Sequence, residues 1–122
     1  MTKPGELGKK GEEIAARYLK SKGYTIIARN WYCDRREIDI IARQNDQIVI
    51  VEVKSREGDY FEEPWEAVST TKIRNLVEAA DAWLIQQEVN LEARFDVISI
   101  VFSDDGNYEL THFEDAFTPP VN

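Results

Sequence analysis

The sequence predicts an α/β fold, a mixed central sheet flanked by helices with elements in the order α-β-β-β-α-β-β. Three observations carry that expectation. Two segments place apolar residues at helical spacing, and five others are short runs rich in Val, Ile and aromatic residues. A polar stretch, Gln44-Asn45-Asp46-Gln47, joins two of the apolar runs as a hairpin turn would. The segment after the third run is long enough for a crossover helix, which makes the third and fourth strands parallel.

The first helix is read over residues 7–22, where Leu7, Gly11, Ile14, Ala15, Tyr18 and Leu19 form one stripe. Gly23 stands where a left-handed C-terminal cap belongs. A strand follows from Thr25 to Trp31, then a loop from Tyr32 to Arg36. Residues 37–43 and 47–55 are the two hairpin strands, apolar enough to be covered on both faces. Arg56 to Pro64 reads as a loop. Ser69 or Thr70 is the expected N-cap of a second helix running to about Gln87, with Ile73, Leu76, Val77, Ala80, Trp83 and Leu84 as its buried stripe. Residues 94–102 form a strand, Asp104-Asp105-Gly106-Asn107 a turn, and Tyr108 to Phe113 the returning strand. The tail from about Thr118, with Pro119 and Pro120, is expected to fray. Residues 1–122 are read as a single domain.

At 122 residues, 43% apolar and 31% charged, the composition is that of a globular protein with a real core. No apolar run approaches the roughly 20 residues that span a bilayer. The first residues lead into a charged helix and carry no signal-peptide pattern. Cys33, the lone cysteine, has no partner for a disulfide. A cytoplasmic location is therefore expected. The net charge of −8 is unevenly spread: residues 1–56 hold twelve Lys/Arg against eight Asp/Glu, and residues 57–122 hold three against fifteen. The N-terminal part is thus the one suited to an anionic partner.

The hairpin makes a sharper statement. With Asn45-Asp46 as a two-residue loop, Gln44 pairs with Gln47 and Arg43 with Ile48. Continued, that register sets Asp39 opposite Glu52 and Glu37 opposite Lys54. Opposed residues share a face, with Cβ atoms roughly 5 Å apart. Two like charges at that distance repel by about 3 kcal/mol at an effective dielectric of about 20. Two readings account for the pair. In one, a divalent cation bridges the carboxylates; hard oxygen donors suit Mg²⁺ or Mn²⁺, and Lys54 then steadies a phosphate or an attacking water. In the other, the hairpin face is solvated, alternates in charge, and carries Glu37–Lys54 as a surface ion pair.

The motif Asp39…Glu52-Val53-Lys54, preceded by a helix bearing Glu12, resembles the PD-(D/E)XK nuclease superfamily, whose core has the same α-β-β-β-α-β order. More closely, the chain resembles the YraN-like family of bacterial proteins. The resemblance runs through Gly8…Gly11-Glu12…Ala15…Tyr18-Leu19, Gly23-Tyr24, Asn30-Trp31, Glu37-Ile38-Asp39-Ile40-Ile41-Ala42, Val51-Glu52-Val53-Lys54-Ser55-Arg56 and Arg94-Phe95-Asp96-Val97. It covers nearly the whole chain. It implies a restriction-endonuclease-like fold and an endonuclease-like activity similar to that of archaeal Holliday junction resolvases. Carried over, Asp39 and Glu52 are metal ligands, Lys54 is the catalytic lysine, and Glu12 is a further acid near the metal. Lys72 matches a lysine on the second helix and is placed to touch a phosphate. Arg36 departs from the glycine common in the family, and Glu62-Glu63 from a Phe-Gly pair.

Other residues carry paired readings. Gly11, inside a helix, permits close packing of that helix on the sheet or on DNA. Arg35, Arg36 and Arg56 either bind phosphates or are merely solvated. Trp31 and Tyr32 are candidates to stack on unpaired bases, with core packing the other reading for Trp31. His112 is placed away from any acid cluster and read as structural. The expectation is a Mg²⁺/Mn²⁺-dependent endonuclease acting on DNA, branched or damaged, with catalytic Glu12, Asp39, Glu52 and Lys54 and a homodimer as its further expected assembly. The alternative is a catalytically silent nucleic-acid-binding or protein-interaction module on the same fold.

Overall fold

A computed structural model describes residues 5–58 and 68–117 of the chain. The element order is α1 (Glu6–Ser21), β1 (Thr25–Cys33), β2 (Arg36–Gln44), β3 (Gln47–Glu57), α2 (Thr70–Gln86), β4 (Glu92–Phe102) and β5 (Tyr108–Phe113). The five strands form one mixed sheet in the order β1-β2-β3-β4-β5. Only β3 and β4 run parallel, with α2 as their crossover; β1–β2, β2–β3 and β4–β5 are antiparallel. This is the order expected from the sequence, and it is consistent with an endonuclease-like core.

The ends of the helices follow from local chemistry. Ser69 accepts a hydrogen bond from the Lys72 N–H at 3.1 Å, satisfying one of the free donors in the first turn of α2. At the end of α1, Gly23 has φ +92°, and Tyr24 N–H donates back to Leu19 O at 3.0 Å.

The apolar residues divide by strand alternation into two clusters, one on each face of the sheet. On one, Ile14, Ala15 and Leu19 of α1 meet Ile40, Val49, Val51, Ile98 and Ile100. On the other, Leu76, Ala79, Ala80 and Trp83 of α2 meet Ile38, Ile41, Ile48, Ile50 and Phe95. β2 therefore contributes to both faces, as its apolar run implied.

Gly11 lets α1 lie close against β3. A Cβ there would lie 1.8 Å from Ser55 Oγ and 3.1 Å from Ser55 Cβ, so only glycine fits without displacement. Trp31 packs against the α2-face cluster, whereas Tyr32 is exposed.

Two segments differ from the sequence reading. Tyr32 and Cys33 stay in β1, paired with Glu37 and Arg36, because Asp34 adopts φ 57° and closes the hairpin in the Asp34-Arg35 turn. Arg56 and Glu57 continue β3, held by parallel pairing to Val101 and Phe102. Residues 59–64 of the expected loop, Trp65, and the tail from Thr118 lie outside the described residues.

Candidate active site at the fork between two strands

The β2–β3 register is the one the Asn45-Asp46 turn sets, with Gln44↔Gln47 through Ile40↔Val51. Asn45 takes φ 54° at that turn. Pairing stops at Ile40–Val51, one step short of Asp39 and Glu52. Beyond it, Asp39 Oδ2 accepts a hydrogen bond from Val53 N–H at 2.8 Å, so a side chain replaces the ladder carbonyl. The alternation of β2 also breaks there: Ile38 and Ile41, three apart, share the α2 face, while Ile40 turns to the α1 face. Asn30, on the neighbouring strand, has φ 50°. The result is a fork at which β2 leaves β3.

Three carboxylates gather at the fork. Oxygen atoms of Glu12, Glu37 and Asp39 lie within 4.8 Å of one another. Glu12 arrives from α1, one residue after the glycine that lets the helix approach. Glu37 therefore belongs with Glu12 and Asp39, not opposite Lys54 as the extended register implied. Unbroken alternation through Asp39 would have set Glu37 opposite Lys54; the break between Ile38 and Ile40 turns it to the α1 face instead.

Electrostatics reflect the crowding. Burial raises the Glu12 pKa and the charge on Asp39 adds to this, while a hydrogen bond with Asn30 opposes both. Burial likewise raises Asp39; the Val53 N–H and the ammonium groups of Lys72 and Lys54 work against it, and Glu37 works with it.

Glu52 is only 4% exposed. Burial first, then the Asp39 charge, pushes its pKa up to about 7 despite Lys72 and Lys54. Lys72 Nζ, from the first turn of α2, is 3.5 Å from Glu52 Oε1, and Lys54 Nζ is 4.0 Å from the same oxygen. Glu52 Oε2 is buried with no hydrogen-bond partner among the described residues. The α1 side of the fork thus holds acids, and the α2 side holds a carboxylate between two lysines.

The other sequence candidates are placed as follows. Arg35 is exposed in the β1–β2 turn. Arg36 pairs with Glu78 of α2 and lies 3.6 Å from Asp34, so its guanidinium ties the turn to the helix. Arg56 is partly buried on β3. Glu62 and Glu63 fall outside the described residues.

A second polar cluster was not anticipated. Arg94 contacts Asp96 through Nε at 2.8 Å and Nη2 at 2.7 Å, and Nη2 also reaches Tyr24 Oη at 2.8 Å. His112 Nε2 lies 2.7 Å from Asp96 Oδ2, and its Nδ1 is 3.2 Å from Tyr18 Oη. The expectation that His112 sits far from acids is thus overturned. Ile98↔His112 pairing brings it diagonally onto the face of Asp96, and that register was not readable from β5 alone. Asp96 is fully buried. Burial would raise its pKa, but hydrogen bonds from His112 and Arg94 more than offset that and hold it below the usual carboxylate range. The bonds within this cluster satisfy its members, as a structural lock does.

The fork residues fit a hard divalent cation. Their donors are all carboxylate oxygens, three of them already converge, and a fourth residue keeps a buried oxygen without a partner. Asp39, Glu12, Glu37 and Glu52 are the residues that could hold it.

No helix among the described residues is long and apolar enough to cross a membrane. Comparison with known sequences agrees with the motif pattern. The chain is 41% identical to a UPF0102 protein of Phocaeicola vulgatus over 121 residues, 99% of both chains. It is likewise 41% identical to a UPF0102 protein of Bacteroides thetaiotaomicron, again over 99% of both. With a UPF0102 protein of Flavobacterium psychrophilum the identity is 41% over 96% of this chain and 98% of the relative. Residues 11–100, which span α1 to β4 and every fork residue, match the pattern described as uncharacterised protein family UPF0102, and the chain belongs to that family.

Proposed function

We propose that the protein is a Mg²⁺- or Mn²⁺-dependent endonuclease that hydrolyses DNA phosphodiester bonds. The observation that carries this reading is the fork itself: half-buried acids on one side of Asp39 and a buried, lysine-flanked Glu52 on the other. Convergent carboxylates repel, by about 3 kcal/mol per pair near 5 Å at an effective dielectric of about 20. A fold keeps such a cost where the acids serve a cation.

Asp39 and Glu52 would hold the ion, with Glu12 and Glu37 closing the set. The ion would supply Lewis-acid polarisation of a phosphate oxygen and a more acidic water. The chain's own residues do the rest. Val53 N–H fixes the orientation of the Asp39 carboxylate. Lys54, beside Glu52, presents a positive charge to a phosphate or to the water that attacks it. Lys72 holds Glu52 in place and is positioned for a neighbouring phosphate. Arg56, two residues beyond Lys54 on β3, and Arg35, in the β1–β2 turn, are further cations for phosphates.

The test is metal-dependent cleavage of duplex, nicked and four-way-junction DNA by wild type and Asp39→Asn. Cleavage by the wild type alone is the expected result; equal activity in both preparations would mark a contaminant and defeat the assignment.

One observation favours a second reading, a binding module without turnover. Two ammonium groups already lie within 4.0 Å of Glu52 and balance its charge without any cation. On that reading Asp39→Asn binds DNA as well as wild type or better, and Mg²⁺ chelation changes nothing.

A further inference from the structure

Four large apolar or aromatic side chains are well exposed among the described residues: Ile27, Tyr32, Ile85 and Tyr108. Tyr32 alone among them sits at the fork. It is 63% exposed. It pairs across the β1–β2 hairpin with Glu37, one of the clustered acids. Through Glu37, whose carboxylate lies within 4.8 Å of those of Glu12 and Asp39, the Tyr32 position adjoins the cluster.

The local backbone sets the direction of this side chain. Trp31, the preceding residue, is anchored in the α2-face cluster. Successive side chains of a strand point to opposite faces, so Tyr32 is turned to the α1 face, where Glu12 arrives. Asn30 and Asp34, both non-glycine residues at positive φ, bracket the segment Trp31–Cys33. Arg35, in the turn that follows, is exposed.

We propose that Tyr32 stacks on an unpaired base next to the bond that the fork cleaves, so that the substrate is single-stranded or locally unpaired DNA and not intact duplex. The proposal rests on the nuclease reading of the fork. An exposed aromatic face is a surface on which single strands stack, because every base has a π-face to offer. A base inside intact duplex is already stacked on both sides and cannot cover the ring. Glu37, beside the phenol, disfavours a phosphate lying on the ring edge and leaves the ring face as the contact surface.

The test is equilibrium binding, without divalent metal, of a fluorescent oligo-dT strand and a blunt duplex of equal length. The proteins are wild type, Tyr32→Phe and Tyr32→Leu, each checked for native circular dichroism. Removal of one stacked base lowers affinity by about tenfold or more. Tyr32→Leu should therefore lose about tenfold on oligo-dT and much less on duplex, and Tyr32→Phe should keep wild-type affinity. Equal binding of oligo-dT by Leu variant and wild type overturns the proposal. So does an equal loss on both probes, or failure of wild type to bind oligo-dT. Cleavage assays separate this failure from that of the parent reading. Metal-dependent duplex cleavage lost in Asp39→Asn but untouched by Tyr32→Leu would keep the nuclease and remove the platform.

Discussion

Asp39 accepts the Val53 N–H at 2.8 Å at the point where the ladder between β2 and β3 ends. The side chain thus does two jobs. It satisfies a donor that strand pairing would otherwise have used, and it stands between Glu12 and Glu37 on one side and the Glu52–lysine group on the other. An asparagine can still accept the Val53 bond but brings no charge. Without cation, Asp39→Asn should fold with stability equal to or above wild type, since burial and Glu37 both disfavour the ionised form. Mn²⁺ at about 100 times its Kd should add about 2.7 kcal/mol to wild type, a rise in Tm on the order of 10 °C for a domain of this size. Differential scanning fluorimetry of both proteins with and without Mn²⁺ checks this. The same shift in the variant would place the cation elsewhere.

Gly11 and Ser55 set how near Glu12 comes to that site. Gly11→Ala gains about 1 kcal/mol of helix propensity, but its Cβ would meet Ser55 Oγ at 1.8 Å and Cβ at 3.1 Å. Overpacking of this kind costs about 1–3 kcal/mol. The hydroxyl can rotate but the Ser55 Cβ cannot, so the net result should be a loss of about 1 kcal/mol. Gly11→Ala combined with Ser55→Gly removes both obstacles and should recover the helix gain. A double-mutant cycle by urea denaturation measures the coupling. Additive single effects would mean that the contact does not set the helix position.

The fold was legible in the sequence because its signals are local. Helical stripes, Val/Ile runs, Gly23, Ser69 and the Asn45-Asp46 turn each act within a few residues, and the parallel pairing of β3 with β4 follows from the length of the crossover. The candidate site was legible only as far as the register held. Glu52, Lys54 and Lys72 were singled out from the motif pattern, and the structure brings them together. Glu37 was set opposite Lys54, because nothing in Glu37-Ile38-Asp39-Ile40 announces that the alternation breaks at Asp39. The Arg94–Asp96–His112 cluster escaped for a similar reason. Arg94 and Asp96 share a face by their spacing, but the arrival of His112 depends on which residue of β5 pairs with Ile98.

That cluster should matter to stability, not to the chemistry at the fork. Asp96→Ala leaves Arg94 and His112 without their buried partner and should cost about 3–5 kcal/mol. The acid range distinguishes its charge from its shape. The Asp96 pKa is lowered in the fold, so its contribution is in place above the ordinary carboxylate range and fades as pH falls through the lowered value. Wild type should therefore lose more stability than Asp96→Asn between pH 5 and a pH of about 2. Parallel urea midpoints for the two proteins across that interval would show that the carboxylate charge contributes nothing.

Glu52 predicts the opposite trend at higher pH. A carboxyl raised from 4.5 to about 7 holds its proton more tightly folded than unfolded. Its contribution is complete below pH 4.5 and is lost as pH rises through 7. The loss is on the order of 3 kcal/mol, and it reaches its limit once Glu52 is ionised in both states. Cation-free wild type should therefore weaken between pH 5 and 8 more than Glu52→Gln, whose amide cannot ionise. Chemical denaturation in EDTA across that interval reads the difference. Added Mn²⁺ should flatten or reverse the wild-type slope, because the ion favours the ionised carboxylate. If wild type and Glu52→Gln keep the same pH dependence in EDTA, Glu52 is not the buried, proton-holding group that the fork makes it.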